Sequence, residues 1–218
     1  MTGSHGFLGW HARAALREHG FDATRVVVGE GFDELAATAA VDGAQRVIHL
    51  AGVNRGTDIE VSESNPEFAR QLASGILRAE KPPATVVYAS STQVGNGSLY
   101  GDAKAAAGEI IADAAQRVGA DFVELKLPNL FGEHGRPFYN AVTATFCHLI
   151  AQGKTPEILE DKVLTLLHAQ NAADLLIGNV HASQQKQLEI EQTVSGLSKR
   201  LSQFAEVYGA GEIPDITS

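Results

Sequence analysis

Tyr100-Gly101-Asp102-Ala103-Lys104 places a phenol and an ammonium four residues apart, a spacing that puts both on one face of a helix. A free tyrosine has a pKa of about 10; a neighbouring positive charge stabilises its phenolate and brings it closer to working pH. Such a pair suits a reaction in which a ketone accepts a hydride and the alkoxide that forms needs a proton. Tyr100 would deliver that proton, and Lys104 would tune it. Just upstream, an apolar run ends in Ser90-Ser91-Thr92-Gln93. A hydroxyl there can donate to the substrate carbonyl oxygen. The spacing favours Ser91, while Ser90 and Thr92 read as residues that end a strand and cap a turn.

Those side chains need a scaffold, and the chain opens with one. Thr2-Gly3-Ser4-His5-Gly6-Phe7-Leu8-Gly9 has glycines at the spacing that lets a backbone turn tightly, admits a pyrophosphate without a Cβ in the way, and lets a helix pack close to a sheet. The helix that starts at Phe7 would aim its positive end at the phosphates, so Gly3, His5, Gly6, Phe7, Leu8 and Gly9 are the candidate cofactor contacts of this turn. Strand-length apolar runs at 25–28, 46–51, 85–90 and 122–127 alternate with helical periods at 7–19, 32–39, 66–79 and 100–118, the rhythm of βαβ units. The strands are Val, Ile and Leu rich with little alternation, as in a parallel sheet covered on both faces.

The fold class is therefore α/β, a doubly wound parallel-sheet Rossmann fold. Residues 1–128 form the nucleotide-binding core. Residues 129–218 form a smaller substrate lobe with one return to the core, with helices at 138–151, 172–181 and 194–208 and a strand at 162–168. Only Met1 precedes the glycine turn, where a buried strand should stand. The expectation is a core lacking its first strand, with the native product starting several apolar residues upstream. Two further segments fall where a dinucleotide would pass. His49-Leu50-Ala51-Gly52-Val53-Asn54 leaves the second apolar run with small residues that permit close approach, which marks Leu50, Ala51 and Gly52. Pro128-Asn129-Leu130-Phe131-Gly132 leaves the run at 122–127, and the backbone of Pro128, Asn129 and Leu130 could meet the nicotinamide carboxamide.

Composition sets outer limits. With 218 residues, 44% of them hydrophobic, the chain supports one main core. A net charge of -9 and a pI near 5.3 oppose nucleic-acid binding. The single cysteine, Cys147, allows no intrachain disulfide and no cysteine-rich metal cage; no metal site is expected. There is no run of about 18 apolar residues and no basic start followed by an apolar stretch, so a cytoplasmic protein without a membrane partner is expected.

With TGxxGFxG, HLAG, SSTQ, YGxxK and PNLFG in order, the chain resembles the extended short-chain dehydrogenase/reductases, the NAD-dependent epimerase/dehydratase family. The blocks HLAGVNR, PNLFG, RPFYN and ATFCH are similar to the reductase domain of CapF or WbjC-type capsular polysaccharide enzymes, which make UDP-N-acetyl-L-fucosamine precursors. That resemblance implies reduction of the carbon-4 ketone of a 4-keto-6-deoxy nucleotide sugar in surface polysaccharide biosynthesis, with Ser91, Tyr100 and Lys104 as the triad and Tyr100 and Lys104 also touching the cofactor. It implies Arg136, Asn140 and His148 on the nucleotide-sugar side, with Asn54, Gln93 and Asn129 as further substrate contacts.

The resemblance points to NADPH, whereas Glu30, in Gly29-Glu30-Gly31, can accept from a ribose 2′-hydroxyl and so argues for NAD. The family's zinc-binding cupin domain has no counterpart in these residues, which makes a separate cupin epimerase a candidate partner, and a homodimer is expected by analogy. Lys126 and Ala169-Gln170-Asn171 depart from the family pattern. The alternatives are a nucleotide-sugar epimerase or dehydratase that recycles its NAD, and a catalytically silent truncated fragment.

Overall fold

A computed structural model describes residues 1–214. The chain divides into two compact units. The first comprises Met1–Pro128 and Gln170–Lys186; the second comprises Asn129–Ala169 and resumes at Gln187.

In the first unit α1 (Phe7–Glu18), α2 (Glu34–Val41), β1 (Arg46–His49), α3 (Asp58–Arg78), β2 (Thr85–Ser91), α4 (Leu99–Val118) and β3 (Asp121–Leu127) follow in alternation. The three strands form one parallel sheet in the order β1-β2-β3, with Arg46 opposite Thr85 and Ser91 opposite Leu127. This is the α/β, Rossmann-like architecture that the alternating apolar runs dictate. Val47, Val86 and Tyr88 from the strands meet Leu72 and Ile76 of α3 and Ile111 of α4 in one core, each at most 2% exposed.

Local chemistry fixes the helix ends. Thr57 and Glu60 form a capping box at the start of α3. The Ser98 hydroxyl accepts from the Gly101 N–H at the start of α4, and Gly119, at φ 75°, ends that helix in a left-handed turn.

The second unit holds β4 (Asn129–Phe131), α5 (Val142–Ala151) and β5 (Val163–His168). The chain then enters α6 (Ala169–Ile177), a 3₁₀ turn over Ala182–Gln184 and α7 (Gln185–Leu188), and finishes with β6 (Glu189–Thr193) and α8 (Val194–Gly209). β4 pairs parallel with β5, and β5 antiparallel with β6. Phe146, Leu164, Leu166, Val194 and Leu197 make this unit's own core.

Four expected elements differ. Residues 25–28 are not a strand, because Met1 alone offers them a ladder partner: the Val26 N–H donates to the Met1 carbonyl at 2.9 Å. The helix expected from Pro66 begins at Asp58, since the Thr57 cap nucleates it and Pro66 is accommodated inside. The helix expected from Phe138 begins at Val142. Phe138 stands at φ 60°, a left-handed conformation that no helix can pass through, with its N–H held by the Thr145 hydroxyl. The helix expected at 172–181 runs instead over Ala169–Ile177.

Candidate functional site

The three glycines of the opening turn are needed for three different reasons. Gly3 is at φ 62°, and a Cβ there would stand 2.7 Å from the Ala51 nitrogen, so the turn can lie against the end of β1 only without a side chain. A Cβ on Gly9 would fall 2.2 Å from the Gly3 carbonyl oxygen, so this glycine lets α1 close onto the turn. Gly6 is exposed, and a Cβ there would meet only the Gly3 oxygen, at 3.4 Å. Nothing inside the protein demands a glycine at that place, and its exposed backbone leaves room for an outside group to approach. Gly6 is also the N-cap of α1 and caps it with no side chain, so the first-turn N–H groups stay available to an anion. The turn therefore fits a pyrophosphate. His5 is exposed and Phe7 and Leu8 are half-buried on the same turn.

Thr2 ties this turn to the exit of β1. Its Oγ1 accepts from the Leu50 N–H at 3.0 Å and the Ala51 N–H at 3.1 Å, and lies 2.8 Å from Nδ1 of His49. With two donors already on the oxygen, the hydroxyl proton goes to Nδ1, which leaves the imidazole proton on Nε2. His49 is 1% exposed and stacks on Tyr88. Burial, then the charge of Lys104, then that of the chain's amino terminus hold its pKa down at about 3.

Two residues after Ala51 the loop is pinned from the other side. Asn65 of α3 accepts from the Val53 N–H and donates to the carbonyls of Val53 and Val61, at 3.1, 2.8 and 2.9 Å. Asn65 is a positioning residue that the sequence reading missed, because a helix started at Pro66 excludes it. Its signal was an amide side chain set eight positions after a capping threonine. Gly52 is exposed and Asn54 half-buried on this loop.

The end of β2 and the start of α4 bring Ser91 and Tyr100 within hydrogen-bonding reach. Ser91 closes β2, and its Oγ accepts from the Gln93 N–H at 3.2 Å. The turn at 92–98 then reverses the chain into α4. A Cβ on Gly101 would lie 2.3 Å from the Gln93 carbonyl oxygen, so the first turn of α4 rests directly on the residues after Ser91. Burial raises the Tyr100 phenol above its ordinary pKa, and a hydrogen bond with Ser91 acts against that rise.

Lys104, 4% exposed, donates to the Ala89 carbonyl at 2.6 Å and lies 4.4 Å from the centre of the Tyr88 ring. Burial lowers its pKa to about 8, and Glu124 partly opposes this. Tyr88 is the support beneath it: the phenol donates to the Lys104 carbonyl at 2.9 Å. The Lys104 Nζ is 3.9 Å from where a Gly52 Cβ would stand, so the β1 exit and the α4 lysine border one space. The hydroxyl of Ser90, by contrast, is buried without a partner among the described residues. Gln93 is exposed on the turn.

The remaining sequence candidates lie in the second unit, apart from Pro128, which ends the first. Asn129 and Leu130 are on β4, and the Asn129 side chain donates to the Thr165 carbonyl at 3.3 Å. A cavity of about 680 Å³ in this unit is lined by Phe131, Pro137, Cys147, His148, Arg200 and Phe204, among others. His148 is thus a wall residue; the Gln152 amide is 2.8 Å from its Nε2. Arg136 lies over the Tyr139 ring at 5.3 Å, and Asn140 is exposed before α5. Arg200, contributed by α8, was not anticipated. Nothing in its local sequence distinguishes it from a solvated helix charge, and only the fold brings it to the same cavity as His148.

Comparison with known proteins bears on this arrangement. The sequence profile of the NAD dependent epimerase/dehydratase family matches residues 1–187. A UDP-2-acetamido-2,6-beta-L-arabino-hexul-4-ose reductase of Pseudomonas aeruginosa is 33% identical over 155 residues, 69% of this chain and 40% of that protein. The chain therefore spans well under half the length of this curated relative. Among solved structures, the capsular polysaccharide assembling protein CapF of Staphylococcus aureus superposes with a TM-score of 0.78 at 22% identity, over 99% of this chain and 59% of that one. A UDP-glucose 4-epimerase of Thermotoga maritima, solved with UDP-glucose, gives 0.75 at 18% identity, over 98% and 83%. At such identities these two likenesses establish the fold alone.

Proposed function

The chain belongs to the NAD dependent epimerase/dehydratase family, and from that premise we propose that it reduces the carbon-4 ketone of a UDP-linked 4-keto-6-deoxy sugar during synthesis of a surface polysaccharide. The observation that carries the reading is the hydrogen bond between Ser91 at the end of β2 and Tyr100 at the start of α4, with Lys104 one turn further along α4 and bonded to the Ala89 carbonyl of β2. The similarity to a reductase that acts on a UDP-linked hexulose supports the substrate class.

A nicotinamide cofactor supplies the hydride when bound. The chain's residues do the rest. Gly6 and the first turn of α1 would hold the cofactor's pyrophosphate, and the space between Gly52 and Lys104 would take its ribose. Ser91 donates to the ketone oxygen, and Tyr100 releases its proton to the same oxygen as it becomes an alkoxide. A phenol raised by burial stays protonated at neutral pH, which suits a proton donor in the reductive direction. Glu30 is exposed between two glycines at positive φ, and its carboxylate could accept from a ribose 2′-hydroxyl, which supports NADH over the NADPH that the resemblance points to. The cavity of the second unit, with Arg200 and His148 on its wall, is the proposed seat of the nucleotide end of the substrate.

Thr92 and Gln93 follow Ser91 where a dehydratase would carry an acidic pair, so reduction is favoured over dehydration. Tyr100→Phe should lower kcat by about 10²–10⁴-fold and leave cofactor binding nearly unchanged, as measured by stopped turnover and isothermal titration. An undiminished rate in that variant ends the proposal. Net oxidation of added NADH during turnover separates a reductase from an epimerase that recycles its cofactor.

A further inference from the structure

Tyr88 stands at the middle of β2, where its strand neighbours Val86, Val87 and Ala89 are apolar and buried. It is itself 0% exposed, so its hydroxyl needs a partner inside the protein. That partner is the Lys104 carbonyl, at 2.9 Å. Lys104 lies within α4, where its carbonyl already serves the Gly108 N–H in the helical ladder. The second donor therefore satisfies no orphan of the helix; it fixes the height of α4 over β2 at Lys104.

The ring of Tyr88 meets the same lysine at its other end. The Lys104 Nζ lies 4.4 Å from the ring centre while it donates to the Ala89 carbonyl at 2.6 Å. Two neighbours bring the ring to that place. A Cβ on Gly108 would stand 3.2 Å from Cε1 of Tyr88, so α4 turns bare backbone to the ring edge. His49 on β1 and Glu124 on β3 are the in-register neighbours of Tyr88, and the His49 ring stacks on it at 5.6 Å with 22° between the planes. The imidazole is held neutral by its burial, so it backs the ring without setting a second cation beside the ammonium.

We propose that Tyr88 is a positioning residue for the candidate site, its ring face seating the Lys104 ammonium and its hydroxyl anchoring the backbone of the same lysine. The inference rests on the reading of Lys104 as the group that holds the cofactor ribose and tunes Tyr100. Burial lowers the Lys104 pKa to about 8 and Glu124 partly opposes this, so a tenfold weaker hold on the proton would leave the amine about half charged near pH 7. The negative face of an aromatic ring favours the charged form, most strongly where water is excluded. Tyr88 thus keeps the lysine charged in a place that otherwise discharges it. The other titratable groups around the pair are His49 on β1, Glu124 on β3 and Tyr100 one turn earlier on α4.

The test compares the full chain with Tyr88→Phe and with a trifluorinated phenylalanine at the same position, which keeps the ring and removes its negative face. Thermal melts establish that each variant is folded. The Lys104 Nζ signal, assigned with Lys104→Met, is titrated by nitrogen NMR without cofactor. Tyr88→Phe should titrate close to the parent, and the fluorinated ring should weaken the lysine's hold on its proton by roughly tenfold. In turnover, Tyr88→Phe should raise the KM for NADH by roughly threefold with kcat less affected, because the ring stays and only the backbone anchor is lost. Equal titration for the phenylalanine and its fluorinated form, or an unchanged KM in Tyr88→Phe, overturns the proposal. A parent chain that neither binds NADH nor turns over ends the functional reading instead, and the titration still decides the seat.

Discussion

His49 is kept neutral by its surroundings more than by any one partner, and that has a measurable cost in acid. Its ordinary pKa is 6.5 and its folded value is about 3. Above the first value both folded and unfolded chains carry the neutral ring, and its contribution to stability is complete. As pH falls below 6.5 the unfolded chain takes up a proton that the folded one refuses, so stability is lost progressively toward the folded value. Urea unfolding from about pH 7 down to about pH 4 should show this decline, and His49→Gln should be less stable at neutral pH but flatter across the same range. Equal slopes would show that the decline has another source.

Ser91 and Tyr100 could be read as candidate neighbours, and Lys104 as a candidate beside them, because the pattern that suggests them sits in short spacings; the structure joins Ser91 to Tyr100 by a hydrogen bond. Thr2 and His49 were not legible as a pair. They are 47 positions apart, and only the pairing of the opening turn with β1 makes the hydroxyl a bridge between them. Asn65 was hidden for the same kind of reason, since its partner Val53 lies across a loop.

At the scale of elements, the turn into α1 separates two uses of glycine that a pattern cannot tell apart. Gly9→Ala puts a methyl 2.2 Å from a backbone oxygen and should cost about 1–3 kcal/mol or more in stability, as overpacking does. Gly6→Ala meets only ordinary contact and should fold with nearly the parental thermal midpoint while binding NADH more weakly. Calorimetric melting and cofactor titration on the two variants check this together; similar melting losses in both would refute the division.

The helices and central strands were readable from apolar period and length, because burial on both faces leaves long unbroken runs such as Thr85–Ser91. What escaped reading depended on neighbours. β6, Glu189–Thr193, alternates charged and polar residues with a single isoleucine and is a strand only because β5 lies antiparallel to it. Residues 25–28 carry a strand's composition and lack its ladder.

At the scale of the whole molecule, the candidate features divide between the two units: the glycine turn, the β1 exit and the proposed triad belong to the first, and the cavity of about 680 Å³ to the second. No helix among the described residues is long and apolar enough to cross a membrane. The cavity in the second unit had no sequence signature, since its walls come from β4, α5, β5, β6 and α8.

One of those walls carries Cys147, the chain's only sulfhydryl. Burial raises its pKa, so it should alkylate slowly near neutrality and faster in mild base. A maleimide fluorophore would thus mark a single known place in the molecule without any mutagenesis. Saturating UDP should slow its attachment by roughly tenfold and NADH should not, so the rate at which a dye arrives becomes a gauge of which compartment each half of the reaction occupies.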